Sequence, residues 1–194
     1  MPDHNVIADV SETLRHVLDT HMISVGQVDV VIFDLHGALP QSQNPILTLT
    51  LNEILEDPSA RNRPRVREPD PNGVKISKPK LTLLLKYLLT AWSDDPATVQ
   101  KILGRVVQVF YNKAILSGSD LQGVSLPTEA EALKLTLAPL TLEDRARIWY
   151  AVQKPYRLCL TYDVRVVNIQ VFDVEPVPVV SSREVDYGVM ETVP

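Results

Sequence analysis

Four arginines, Arg61, Arg63, Arg65 and Arg67, have the type and spacing that most clearly promise chemistry. They alternate with Asn62, Pro64 and Val66, and in an extended chain that alternation sets all four guanidinium groups on one edge. Such an edge suits phosphate groups, an acidic protein surface, or simply water, with Glu68 and Asp70 near enough to neutralise it locally. A net charge of -5 and the lack of aromatic residues among the arginines count against nucleic acid. The histidines offer less. His16 and His21 stand five residues apart, a spacing that does not bring them to one helix face. Asp34 and His36 end a β-rich run where both side chains can face one way, but two ligands without a third make no metal site.

The catalytic patterns fail one by one. Gly118 and Gly123 have the spacing of a phosphate loop but lack the Lys-Ser/Thr that must follow. No Gly-x-Ser-x-Gly elbow and no His-Glu-x-x-His pair occurs. Ser117-Gly118-Ser119-Asp120 reads as a turn, since no histidine lies near it in sequence. Cys159, the single cysteine, excludes an intrachain disulfide and reads as a small packed residue rather than a nucleophile. No catalytic residue, cofactor site or metal site is therefore assigned.

The elements that would carry these residues follow from periodicity. Val6, Ile7, Val10, Leu14, Val17 and Leu18 predict an amphipathic helix, with Asp3 or Asn5 to cap it. Val28 to Leu35 is β-rich, and Ile46 to Leu55 alternates Leu47, Leu49 and Leu51 against Thr48, Thr50 and Asn52, the pattern of a half-buried strand. These two runs are expected to pair. Leu81 to Trp92 reads as a central strand. Asp95 and Pro96 start a helix with Val99, Ile102, Leu103, Val106, Val107 and Phe110 inward. Leu133, Leu135 and Leu137 predict a short strand. Thr141 with Asp144 opens a third helix with Leu142, Ala146, Trp149 and Val152 inward. Arg157 to Ile169 is a long strand. The order predicts an α+β domain over residues 1–169, a mixed and mostly antiparallel sheet flanked by about three helices.

Two segments do not fit that pattern. Residues 57–80 hold five prolines and a Pro-Asn-Gly turn among dense charge, and predict a long loop bearing the four arginines. Residues 170–194 are rich in valine but interrupted by Pro176 and Pro178. They predict an extended arm, with Val171 and Val174 as donors of a short added strand on a neighbour. From Phe172 onward the chain carries five acids and one base, so a nearly neutral body bears an acidic tail. A single cysteine excludes Cys-rich zinc and iron–sulfur sites, and no secretory signal or bilayer-spanning stretch is evident, which predicts a soluble protein assembled in the cytoplasm without direct membrane insertion.

Several runs resemble a known family in order. They are NVIADVSETLRHVL, DPSARNRP, KLTLLLKYLLTAWSDDPATVQKILGRVVQVFYNKAILSG and LKLTLAPLTLEDRARIWYAVQKPYRLCLTYDVRVVNI. Together they span about residues 5 to 169 and are similar to the tail-cap, or tail-terminator-like, family of contractile injection systems. One departure is the run Tyr111-Asn112-Lys113-Ala114-Ile115, where the family often has a proline. Some members also continue into a large C-terminal domain.

The resemblance implies a structural protein with a phage tail-terminator-like fold and no enzymatic role. It implies a homo-hexameric ring that binds the last rings of inner tube and sheath and stops their polymerisation, within a particle that can be released from the cell. The residue reading fits that independently, with the arginine loop and the arm as protein interfaces. A terminator of a contractile-tailed phage at the head–tail joint, and a small cytosolic enzyme with an unrecognised site, are the alternatives.

Overall fold

The computed structural model describes residues 4–59, 64–70, 73–77, 81–126, 132–169 and 174–177. In chain order they form α1 (Val6–Met22), β1 (Asp29–Ile32), β2 (Ile46–Glu56), β3 (Val66–Asp70), β4 (Gly73–Ser77), β5 (Leu81–Trp92), α2 (Pro96–Asn112), β6 (Ile115–Ser117), β7 (Ala132–Leu137), α3 (Leu142–Ala151), β8 (Cys159–Ile169) and β9 (Val174–Val177). Two units result. The larger takes in residues 1–62 and 80–170, and the smaller residues 63–79 and 171–194.

The larger unit is an α+β structure built on a six-stranded sheet of order β1-β2-β5-β8-β7-β6. Every neighbouring pair is antiparallel except β1 with β2, which run parallel. Thirteen residues separate the two parallel strands, enough for the crossover that parallel pairing demands. On one face α1 and α2 bury Val10, Leu14, Leu18, Ile102, Val106 and Phe110 against Leu47, Leu49, Leu85, Tyr87, Leu89, Val164 and Val166. At the upstream end of α2, Asp95 accepts hydrogen bonds from the Ala97 and Thr98 amides, and Pro96 stands at the first helical position. Tyr87 reaches back from the sheet to α1, where its hydroxyl lies 2.8 Å from Ser11 Oγ.

The other face carries α3 and a smaller apolar cluster. There Trp149 of α3 packs with Leu35, Leu88 and Cys159, and Trp92 meets Trp149 edge-on at 6.1 Å between ring centroids. This second layer explains two differences from the sequence reading. Thr48 and Thr50, expected on a solvent face, are buried, and Thr48 donates to the Thr90 carbonyl at 3.1 Å while accepting from Trp92 Nε1 at 2.9 Å. In α3, Leu142 and Ala146 face outward, and Trp149 is the buried side chain, with Arg145, Ile148 and Val152 half-buried. Val107 of α2 is likewise half-buried, and Val109 takes the buried place.

The smaller unit corrects the long-loop expectation for residues 57–80. β3 and β4 form an antiparallel pair, with Asp70 opposite Gly73. β9 adds to β4 as a third strand, Val174 opposite Ser77 and Pro176 opposite Lys75. Proline cannot donate to a ladder, and its place on β9, an edge strand, is the position in a sheet where it is tolerated.

Candidate functional site

Of the expected interface residues, the described ones, Arg65, Arg67 and Val174, lie in the smaller unit, whose sheet has the order β3-β4-β9. Arg65 and Arg67 are exposed, Arg65 just before β3 and Arg67 within it, where its backbone lies opposite Ile76. Arg61, Arg63 and Val171 lie outside the described residues. Val174 starts a strand, β9, which pairs with β4. The carboxylate of Asp34 closes its own turn, accepting the His36 amide at 3.0 Å and the Gly37 amide at 3.3 Å. Those two amides, Gly37 foremost, hold its carboxyl below the usual range. Burial pushes the Cys159 thiol up, away from the reactive thiolate. Among the described residues, no three His, Cys, Asp or Glu side chains converge as metal ligands would.

What the larger unit does present is two staggered sheet edges. At one, β1 ends opposite Leu49, its last rung being the Phe33 amide donating to the Leu49 carbonyl at 2.9 Å. The Asp34 turn then carries the chain away. β2 runs on to Glu56, so Leu51 to Glu56 pair with β5 on one side and, among the described residues, with no strand on the other. An open cavity of about 430 Å³, lined by Ile32, Phe33, Asp34 and Leu51, marks the place where β1 stops. Ile32, Ile54 and Leu55 are 45, 50 and 36 % exposed there. At the opposite edge β6 covers only Ala132 to Lys134 of β7, and Ile115 and Leu137 are exposed.

Ion pairs flank the overhang. Glu53 of β2 pairs with Lys86 of β5 at 2.8 Å, and that contact raises the lysine's pKa. Where β2 ends, the buried Asp57 accepts Arg165 Nε at 2.7 Å and the Ser59 amide at 2.9 Å. The sequence reading missed this edge. Its only signal was an alternation that runs past Leu51, while the length of a partner strand cannot be read from one strand.

A sequence profile described as the Pvc16 N-terminal domain matches residues 9–182. The chain belongs to that family. The Pvc16 N-terminal domain fold seen here is similar to the sheath/tube terminator of the PVC extracellular contractile injection system in its extended state, with a TM-score of 0.64 and 18% identity. That match covers 96% of this chain and 65% of the other. It is also similar to the anti-feeding prophage cap, a tube terminating cap, with a TM-score of 0.61 and 18% identity over 93% of this chain and 61% of that one. This Pvc16 N-terminal domain chain therefore spans a little under two thirds of the length of the structures it matches. No curated protein matches it. Among the described residues, no helix is long and apolar enough to cross a membrane.

Proposed function

We propose that this protein is the structural cap of a contractile injection system, a non-enzymatic ring of six copies on the distal end of the inner tube and sheath. The family match over residues 9–182 carries the reading. The two structures that share the fold, named as a sheath/tube terminator and a tube terminating cap, support it. In this reading the particle assembles in the cytoplasm and is released with the cap in place, and the partners are tube protein, sheath protein and further copies of the chain.

A terminator has one physical task, to bind the last ring of a polymer better than the next polymer subunit does. A mixed sheet with α1 and α2 on one face and α3 on the other, with ion pairs at the root of an exposed strand, provides a body for that purpose. The exposed Arg65 and Arg67 provide charge for an acidic partner. The test is particle length. Particles produced without this protein should vary widely in length, and a plasmid-borne copy should restore uniformity. Uniform length in its absence would overturn the reading.

A further inference from the structure

The register of the larger sheet connects its two edges. Leu55 of β2 lies opposite Leu84 of β5, Leu84 opposite Arg165 of β8, Arg165 opposite Lys134 of β7, and Lys134 opposite Ile115 of β6. One cross-strand row thus crosses five strands and ends in an exposed apolar side chain on each side, Leu55 at one edge and Ile115 at the other. Partners in register project to the same face, so both side chains point to the face that carries α3.

Strand direction agrees. Four successive antiparallel pairings separate β2 from β6, so β6 runs the same way as β2. β1 also runs that way, and it pairs with β2 in parallel until it stops opposite Leu49. A second copy related by rotation about an axis along the strands would present its β6 parallel to β2, level with Leu55, on the rungs that β1 leaves open.

Charge within each edge is largely settled inside the chain, Glu53 pairing with Lys86 at the first edge and Lys113 with Asp120 at 2.6 Å at the second, so register and strand direction decide the match. The overhang from Leu51 to Glu56 also has no lysine or proline, the residues that commonly blunt an edge against pairing.

We propose that the overhanging edge of β2 on one copy of this chain receives β6 of a second copy, which continues the sheet from subunit to subunit. The two surfaces differ and lie on opposite edges, so the contact is head-to-tail, the kind from which a ring of copies is built when the rotation between them closes. This deepens the cap reading and rests on its ring.

Cys159 is the single native cysteine and is buried, so introduced thiols report cleanly. Particles carrying Leu55→Cys and Ile115→Cys in the same chain are treated with a bismaleimide spanning about 8 Å, the reach of diagonal neighbours across a strand pair. A ladder of cross-linked copies is expected, while either single variant alone gives monomer. Uniform particles with no ladder would overturn the edge contact and leave the cap reading intact. A dimer from Leu55→Cys alone would overturn it too, because that contact joins like to like. Should the double variant fold poorly by circular dichroism, Ser117→Cys, exposed and on the same face as Ile115, replaces Ile115→Cys with the same expected ladder. Uniform length in particles lacking the protein altogether would instead refute the cap reading, whatever the cross-link shows.

Discussion

Alanine at Gly123 and alanine at Gly104 are the same chemical change with opposite expected consequences. Gly123 has φ +95°, a left-handed backbone that a side chain rarely adopts, and a Cβ built there would overlie the carboxylate of Asp9. That carboxylate accepts the Ser125 amide at 2.8 Å, and the Gln122 amide donates to Thr13 Oγ1 at 2.9 Å, so the loop is tied to α1 at both ends. Left-handed backbone costs an L-residue roughly 1–2 kcal/mol. Expelling Asp9 sacrifices a charge-assisted hydrogen bond of roughly 1.5–3 kcal/mol. Gly123→Ala should therefore destabilise by roughly 2.5–5 kcal/mol, which lowers the melting midpoint by on the order of 10 °C. Gly104 lies inside α2 with nothing within 4 Å of its would-be Cβ, so Gly104→Ala should stabilise by roughly 0.5–1 kcal/mol. Far-UV circular dichroism melts and calorimetry measure both. A third measurement isolates the cause: with Asp9→Ala already present, Gly123→Ala should cost only the backbone part, roughly 1–2 kcal/mol. Equal costs in the two backgrounds would refute the collision, and a Gly123→Ala midpoint at the wild-type value would refute the whole account.

Burial pushes the Tyr87 phenol up to about 12, with the Ser11 hydrogen bond acting weakly the other way. The unfolded phenol ionises near 10 while the folded one keeps its proton, so stability intact below that pH should fall by about 1.4 kcal/mol per unit as pH rises toward 12. Denaturant titrations should show this alkaline slope lessened in Tyr87→Phe, at a cost of about 1 kcal/mol at neutral pH. Asp57→Asn keeps the Ser59 contacts but loses the charge facing Arg165, and should destabilise by roughly 1–3 kcal/mol, since Arg165 is 44 % exposed and water replaces part of its partner. Replacing Arg61, Arg63, Arg65 and Arg67 by Ser should leave the melt unchanged and broaden particle length. Unchanged length would make the four arginines passive. A chain ending at Ile169 should keep the midpoint of the larger unit, and loss of folding would show that the tail belongs to its core.

Much of the larger unit was legible in the sequence because long amphipathic elements leave periodic traces. α1, α2, β5 and β8 repeat their apolar spacing over eleven residues or more. Asp95 and Thr141 announce two helix starts through short side chains that accept from the first turn. β6 was not legible: three residues directly after a helix are too few to alternate. The pairing of β3 and β4 was hidden by its own composition, since Pro69 and the charges of Arg67, Glu68 and Asp70 mask the strand pattern although the Pro-Asn-Gly signal was visible. Thr48 and Thr50 were read outward because hydroxyls suit water. Their burial follows from a second layer, α3, that lies nearly a hundred residues further along the chain. Strand order and edge stagger, on which the candidate interface rests, are properties of pairing, and one strand's sequence does not encode the length of its neighbour.

The placement of the two tryptophans has a practical consequence. Trp92 and Trp149 are the whole indole content of the chain, and both sit on the face that carries α3, in edge contact with each other. Trp92 also stacks under Arg157 at 4.6 Å and donates to Thr48. The helical face, which holds most of the core, contains no tryptophan. Intrinsic fluorescence is consequently a local channel that sees α3 leave the sheet and is blind to α1 and α2. Circular dichroism weights the two long helices instead. Fluorescence and dichroism recorded on the same sample would thus separate loss of α3 from global unfolding without any introduced label, and a fluorescence change on capping would report that the tube or sheath reaches this side of the sheet.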